Sequence, residues 1–166
     1  FKGETVLSDI VISRVTGEPV LMLATPIETA SKETALLLAR VDGYILSDVI
    51  DTIEIGETGY AFIINNEGIM QGHVKREYVK EQMNYIEEEN TVSAAIQSMI
   101  DNTSGYSKYE DVEGDMRLAG FYTLNNNWTM AVTATEAEML KGLNTVKINL
   151  VAFSVLFVIV GGIVAY

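Results

Sequence analysis

The chain has no cysteine, a single histidine and few basic residues, and each scarcity removes a class of chemistry. Without cysteine there is neither a disulfide framework nor a thiol nucleophile. With His73 alone, a catalytic base would need a nucleophile that the surrounding sequence does not supply, and a metal site would need further ligands. His73 therefore reads first as a structural strand position and second as a ligand contact. Only 11 Lys or Arg stand against 23 Asp or Glu, a net charge of −12 over 166 residues. Counterion release on nucleic acid needs clustered Lys and Arg, so nucleic acid is not an expected partner. No Ser-His-Asp set, Gly-rich phosphate loop or paired metal motif can be assembled, so neither catalysis nor a cofactor is expected. Glu87-Glu88-Glu89 reads as a solvated face, with divalent-cation binding as the sharper alternative.

What the chain does have is one long apolar run. Ile148 to Tyr166 (INLVAFSVLFVIVGGIVAY) carries no charge and no polar stripe. At about 1.5 Å per residue, a helix of that length reaches roughly 28 Å, against ~30 Å for the hydrocarbon core of a bilayer. A transmembrane helix is expected, with a buried helix or an oligomer-forming tail as alternatives. Every charge then falls in residues 1–147. An acidic balance fits poorly with the cytoplasmic face, where loops near a span are rich in Lys and Arg, so this portion is expected to be extracytoplasmic. Lys141 and Lys147, close to the span, pull the other way. The chain opens at Phe1-Lys2-Gly3 without an initiator Met and stops at Tyr166, and is expected to be a piece of a longer membrane protein whose earlier anchor lies upstream.

Between the ends, periodicity gives an α+β order. Thr5 to Ser13 and Pro19 to Ile27 are β-rich runs around the turn Arg14-Val15-Thr16-Gly17-Glu18 and form a hairpin. Thr34 to Val41 is read as a third strand from its position, although a buried helical turn would show the same short apolar run. Tyr44 to Ile53 sets Ile45, Leu46, Val49, Ile50 and Ile53 at helical spacing, a connecting helix. Tyr60 to Asn65 and Ile69 to Val74 make a second hairpin around Asn66-Glu67-Gly68. Lys75 to Glu89 is expected to be mostly helical, and Thr91 to Asp101 a helix that Thr91 can cap. Strands Gly105 to Glu110, Met116 to Leu124 and Trp128 to Thr135 follow, then an exit helix from Glu136 with acids in its first turn. The expected domains are strands 1–43 that read as the tail of a first domain, a connecting helix 44–54, an α+β module 55–135 of antiparallel sheet with helices on one side, an exit helix 136–147 and a transmembrane helix 148–166. Tyr60, Tyr106, Tyr109, Tyr122 and Trp128 could line a pocket between sheet and helices or pack in the core, and Arg117 is the candidate partner of a carboxylate there.

Gly56-Glu57-Thr58-Gly59-Tyr60-Ala61-Phe62-Ile63-Ile64-Asn65 resembles the opening of the membrane-proximal module of double Cache sensor domains, the extracytoplasmic sensors of bacterial chemoreceptors and related receptors. The likeness continues through Asn66-Glu67-Gly68, His73, Gly105-Tyr106-Ser107-Lys108-Tyr109 and Asn127-Trp128-Thr129-Met130-Ala131-Val132-Thr133. Thr16-Gly17-Glu18-Pro19-Val20 and Ala24-Thr25-Pro26-Ile27 look like closing strands of the distal module, and Asp42-Gly43 to Ile53 like its link to the proximal one. The resemblance implies PAS-like modules on a long helix, with small ligands usually held in the distal module. It implies a methyl-accepting chemotaxis protein or a related receptor, working as a homodimer in the cell membrane and taking an amino acid, a carboxylate or a similar small molecule. Where such sensors often carry a Tyr before the distal turn, this chain has Ile10 or a neighbour, and where they often have an Asp after the last distal strand it offers Asp42, or Gly43 in the other register. The candidate ligand-binding residues are Asp42, His73, Tyr109, Arg117 and Tyr122.

Overall fold

The computed structural model describes residues 3–28, 34–87 and 90–141, together with Leu150 and Ser154. Two antiparallel sheets succeed one another along the chain. In the first, β3 (Pro19–Glu28) pairs with β4 (Thr34–Asp42) on one edge and with the short β1 (Val6–Leu7) and β2 (Val11–Ile12) on the other. The expected hairpin is present, but its first arm breaks between β1 and β2. Ser8 stays with β3, donating its N–H to Met22 O at 2.9 Å and accepting the Met22 N–H on its hydroxyl at 3.0 Å. Asp9 and Ile10 leave the ladder and enter the second unit, where Ile10 is 1% exposed. Burial of that side chain and of the polar groups beside it explains why two β-branched runs are separated by a kink.

The connecting helix α1 (Ile45–Ile50) is six residues long, shorter than its apolar spacing suggests. It lies on the second sheet over Gly72, where an added Cβ would sit a tight 3.2 Å from Leu46 Cβ, so glycine favours this close approach of helix and strand. The second sheet has five strands in the order β6-β5-β9-β8-β7, with β5 (Tyr60–Ile64), β6 (Met70–His73), β7 (Ser104–Glu110), β8 (Met116–Thr123) and β9 (Thr129–Thr135). Period-two alternation turns Ala61 and Ile63 to the α1 side and Tyr60 and Phe62 to the other. That other face is covered by α2 (Arg76–Lys80), a 3₁₀ turn (Tyr85–Glu87) and α3 (Thr91–Asp101). The core runs through the sheet: Phe62, Ile64, Met70, Val79, Ile96, Met99 and Ala131 are all buried in one cluster with Ile10 and Ile50. This is an α+β fold, as expected.

Two local expectations are corrected. Residues 75–87 are not one continuous helix: α2 ends at Lys80, Gln82 takes a positive φ of 52°, and Met83 turns back to the sheet, its carbonyl accepting the Met70 N–H at 3.0 Å, before the 3₁₀ turn. Pairing with the edge of β6, extended by an Ile69–Asn84 bridge, outcompetes a helix that Gln82 would have had to continue. α3 has the expected bounds but not the expected cap. Asn90 is the N-cap, accepting the Ser93 N–H at 2.9 Å, while the Thr91 hydroxyl bonds the carbonyl of Glu110. The exit helix is seen over residues 136–141. The expected span 148–166 lies outside the described residues apart from Leu150 and Ser154, and so do Glu88 and Glu89. Among the described residues, no helix is long and apolar enough to cross a membrane.

Candidate functional site

Between the inner sheet face and the helices that cover it lies a cavity of about 260 Å³. β5 presents Tyr60 and Phe62 to it, two residues apart on one face, and β6 presents Met70 and His73. Tyr109 of β7 and Arg117 of β8 are register partners and stand side by side on the same face. Tyr78, Tyr85, Val92, Ala95 and Ile96 close it from the helical layer, and Lys75 and Glu113 stand at the rim with side chains 47% and 64% exposed.

The wall is a run of rings. Tyr60 meets His73 edge-on at 5.1 Å and 70°, His73 lies tilted against Tyr78 at 4.7 Å and 34°, and Tyr78 meets Tyr85 at 6.3 Å and 76°. The two edge-on contacts, Tyr60–His73 and Tyr78–Tyr85, match ring quadrupoles and help keep the rings in place. His73 Nδ1 accepts the Lys75 N–H at 2.9 Å, which assigns the proton to Nε2. Burial, with Lys75 adding to it, pushes the imidazole down to about 4, so it is neutral at pH 7. Burial also raises the Tyr60 and Tyr109 hydroxyls above the usual range.

Arg117 is not a free cation. Its Nε donates to Asp111 Oδ2 at 2.5 Å, its Nη1 to the carbonyl of Thr58 at 3.2 Å, and its guanidinium lies 4.9 Å above the Tyr60 ring. Asp111 also accepts the N–H groups of Glu113 and Asp115. Burial alone would push this carboxyl up, but the Arg117 bond and those two amides outweigh it and hold it below the ordinary range.

Of the candidate residues, the fold brings His73, Tyr109 and Arg117 into this cavity. Tyr122, 59% exposed, is on the opposite face of β8, and Tyr106, 83% exposed, on that of β7. Asp42 ends β4 in the first sheet, where its carboxylate accepts the Tyr44 N–H at 2.9 Å beside a shallow hollow shared with Glu18 and Arg40. Trp128 is buried away from the cavity, its Nε1–H donating to Asp9 at 2.7 Å. Phe62, Tyr78, Tyr85 and Asp111 were not singled out by sequence, though Tyr78 carried a signal as part of an apolar helical stripe.

One link between the cavity and the exit helix runs through Thr58, beside the Arg117–Thr135 strand pairing and the Lys108–Glu136 ion pair. Thr135-Glu136-Ala137-Glu138 has the spacing of a capping box, with the Glu138 N–H donating to the Thr135 hydroxyl at 3.4 Å. The Glu138 carboxylate, however, reaches past Thr135 to the turn before β5. It accepts the N–H groups of Glu57 at 2.5 Å and Thr58 at 2.9 Å, and the Thr58 hydroxyl. Thr58 Oγ1 in turn accepts the Thr135 N–H at 3.1 Å. Gly56, at φ +59°, is required here, since a Cβ would collide with the Glu138 carboxylate. Thr58 is thus held by cavity residue Arg117 on its carbonyl and by exit-helix residue Glu138 on its amide and hydroxyl.

A second set of bonds ties the two units together. Asp9 accepts from Trp128 Nε1 and from Asn65 Nδ2 at 2.9 Å, while the Ile10 N–H donates to Gln71 Oε1 at 2.7 Å and the Ile10 carbonyl accepts from Gln82 Nε2 at 2.8 Å. Gln71 is available because a register shift between Ile63 and Ile64 makes it the extra residue on β6.

A family model described as Cache domain matches residues 1–143. The chain belongs to the Cache domain family. Among solved structures, this Cache chain is similar to the ligand-binding domain of the Pseudomonas aeruginosa PAO1 amino acid chemoreceptor PctB in complex with L-Arg. The identity is 18% and the TM-score 0.63, over 92% of this chain and 62% of that one. It is also similar to the ligand-binding domain of the Pseudomonas fluorescens chemoreceptor CtaA in complex with L-serine, at 20% identity and a TM-score of 0.55 over 81% of this chain and 56% of that one. The extracellular domain of mmHK1S-Z3, named as a histidine kinase, aligns at 16% identity with a TM-score of 0.68 over 86% of this chain and 53% of that one. The Cache chain thus spans between half and two thirds of the length of these structures, and at these identities the likeness is one of fold.

Proposed function

We propose that this Cache chain is the sensing region of a transmembrane receptor. It binds a small molecule outside the cytoplasm and passes the event to the membrane through its exit helix, with Ile148 to Tyr166 as the span and a homodimer as the working unit. One observation carries the reading: the wall of the aromatic cavity and the first turn of the exit helix grip the same residue, Thr58. A ligand that moves Arg117 or Tyr60 acts on the Thr58 carbonyl, and Glu138 holds the amide and hydroxyl of the same residue. The amino acid complexes of the related chemoreceptor domains support a small-molecule ligand, and a chemoreceptor output is the leading reading. The mmHK1S-Z3 likeness favours a histidine kinase as the second. The site is read as one for binding rather than catalysis, because its single imidazole is held by the Lys75 amide and no serine or threonine hydroxyl stands among its lining residues.

A coupling of roughly 1 to 3 kcal/mol between pocket and helix is enough to bias a receptor. The test is a two-glycine insertion between Lys141 and Lys147, read by receptor output and by ligand binding. Binding should persist while the response is lost. A full ligand response through the insertion would sink the rigid-helix route.

A further inference from the structure

The residues around the cavity say what kind of molecule it takes, given the reading of the cavity as a ligand site on which this inference rests. Its charges are spent on each other. Arg117 and Asp111, with side chains only 10% and 12% exposed, form a pair at 2.5 Å, and Lys75 and Glu113 stand 3.5 Å apart at the rim. Arg117 Nε is taken by Asp111 and Nη1 by the Thr58 carbonyl, and the guanidinium rests on Tyr60. A carboxylate entering here would lose its water and meet a guanidinium already neutralised, with Asp111 beside it to repel it. A zwitterion would meet the same obstacle and gain only the exposed rim pair, where ion pairing is weak.

Most of the cavity wall is uncharged. Tyr60, Phe62 and Tyr78 present ring faces and edges to it. His73 offers Nε2–H, which has no hydrogen-bond partner among the described residues. The volume sets the size: a dry cavity of about 150 Å³ accommodates benzene, so about 260 Å³ suits one substituted ring or two fused ones. We propose that this cavity binds an uncharged aromatic or heteroaromatic molecule of one or two rings, seated among the tyrosines and accepting a hydrogen bond from His73.

Isothermal titration of the full-length protein with indole-3-carboxamide and adenine, against indole-3-carboxylate and L-tryptophan as charged counterparts, tests this. An Ala95→Phe variant fills the cavity from α3, with Ala95→Leu as the milder substitution should the first not fold. Expected is binding of at least one uncharged probe about tenfold tighter than either charged one, a difference that Ala95→Phe abolishes. Charged probes binding as tightly, and losing affinity when the cavity is filled, would overturn the ligand class while leaving the cavity as the ligand site. If no probe binds, or if filling the cavity changes nothing, both the class and the site reading fall.

Discussion

His73 carries the clearest residue-scale consequence. Its folded value of about 4 lies below the ordinary 6.5, so the unfolded chain takes up the proton first as pH falls. Stability is therefore complete above about pH 6.5 and drains away towards pH 4, by about 3 kcal/mol in all. Urea midpoints measured from pH 7.5 to 4 should show this slope, and His73→Gln should flatten it. Asp111 gives a second test. Replacing it with Ala leaves Arg117 buried without its carboxylate partner, at a cost of about 3 kcal/mol in chemical denaturation. The same change should raise the affinity for indole-3-carboxylate, because the guanidinium is released. The parity of strand positions was legible from sequence alone. Arg117 and Tyr122 are five apart on one strand, and an odd separation puts them on opposite faces, so both could never line one cavity. The Asp111–Arg117 pair was not legible, since it depends on how the turn after β7 folds back.

At the scale of elements, two contacts matter most, and both join distant parts of the chain. Asp9 meets residues 56 and 119 positions away, a separation on which no local pattern reports. Its run looks like a continuous strand, and only the buried positions of Ile10 and Gln71 explain the break. Ile10→Ala should cost about 2 to 5 kcal/mol, with protease sensitivity appearing first between β1 and β3. The Glu138 clasp was half visible: the capping-box spacing was there in sequence, but the acid serves Thr58 rather than Thr135. Hydrogen bonds from the Thr58 hydroxyl and the Glu57 and Thr58 amides hold its carboxyl below the ordinary range. Glu138→Gln should leave ligand affinity within about twofold and cut receptor output, because the amide accepts through one oxygen where the carboxylate uses two. Equal loss of affinity and output would mean that Glu138 shapes the pocket instead.

Across the whole molecule, the two sheets, the cavity and the exit helix form one connected body of bonds. Asp9 and Ile10 fasten the first sheet to the second, Lys80 of α2 pairs with Glu18 in the turn before β3 at 2.8 Å, and Arg76 ties α2 to Asp51 beyond α1 at 2.9 Å. The order of strands and helices followed from periodicity and turn residues, because each element is amphipathic on its own. The cavity did not, because its wall comes from β5, β6, β7, β8, α2 and α3 at once. The central claim is that occupancy of the cavity is felt at the start of the exit helix. Hydrogen exchange at the Glu57, Thr58 and Thr135 amides tests it most directly, in the presence and absence of a probe whose binding Ala95→Phe abolishes. The expected result is a change in protection at these three amides in the wild-type chain, lost in Glu138→Gln. Unchanged exchange at all three with the cavity filled would contradict it.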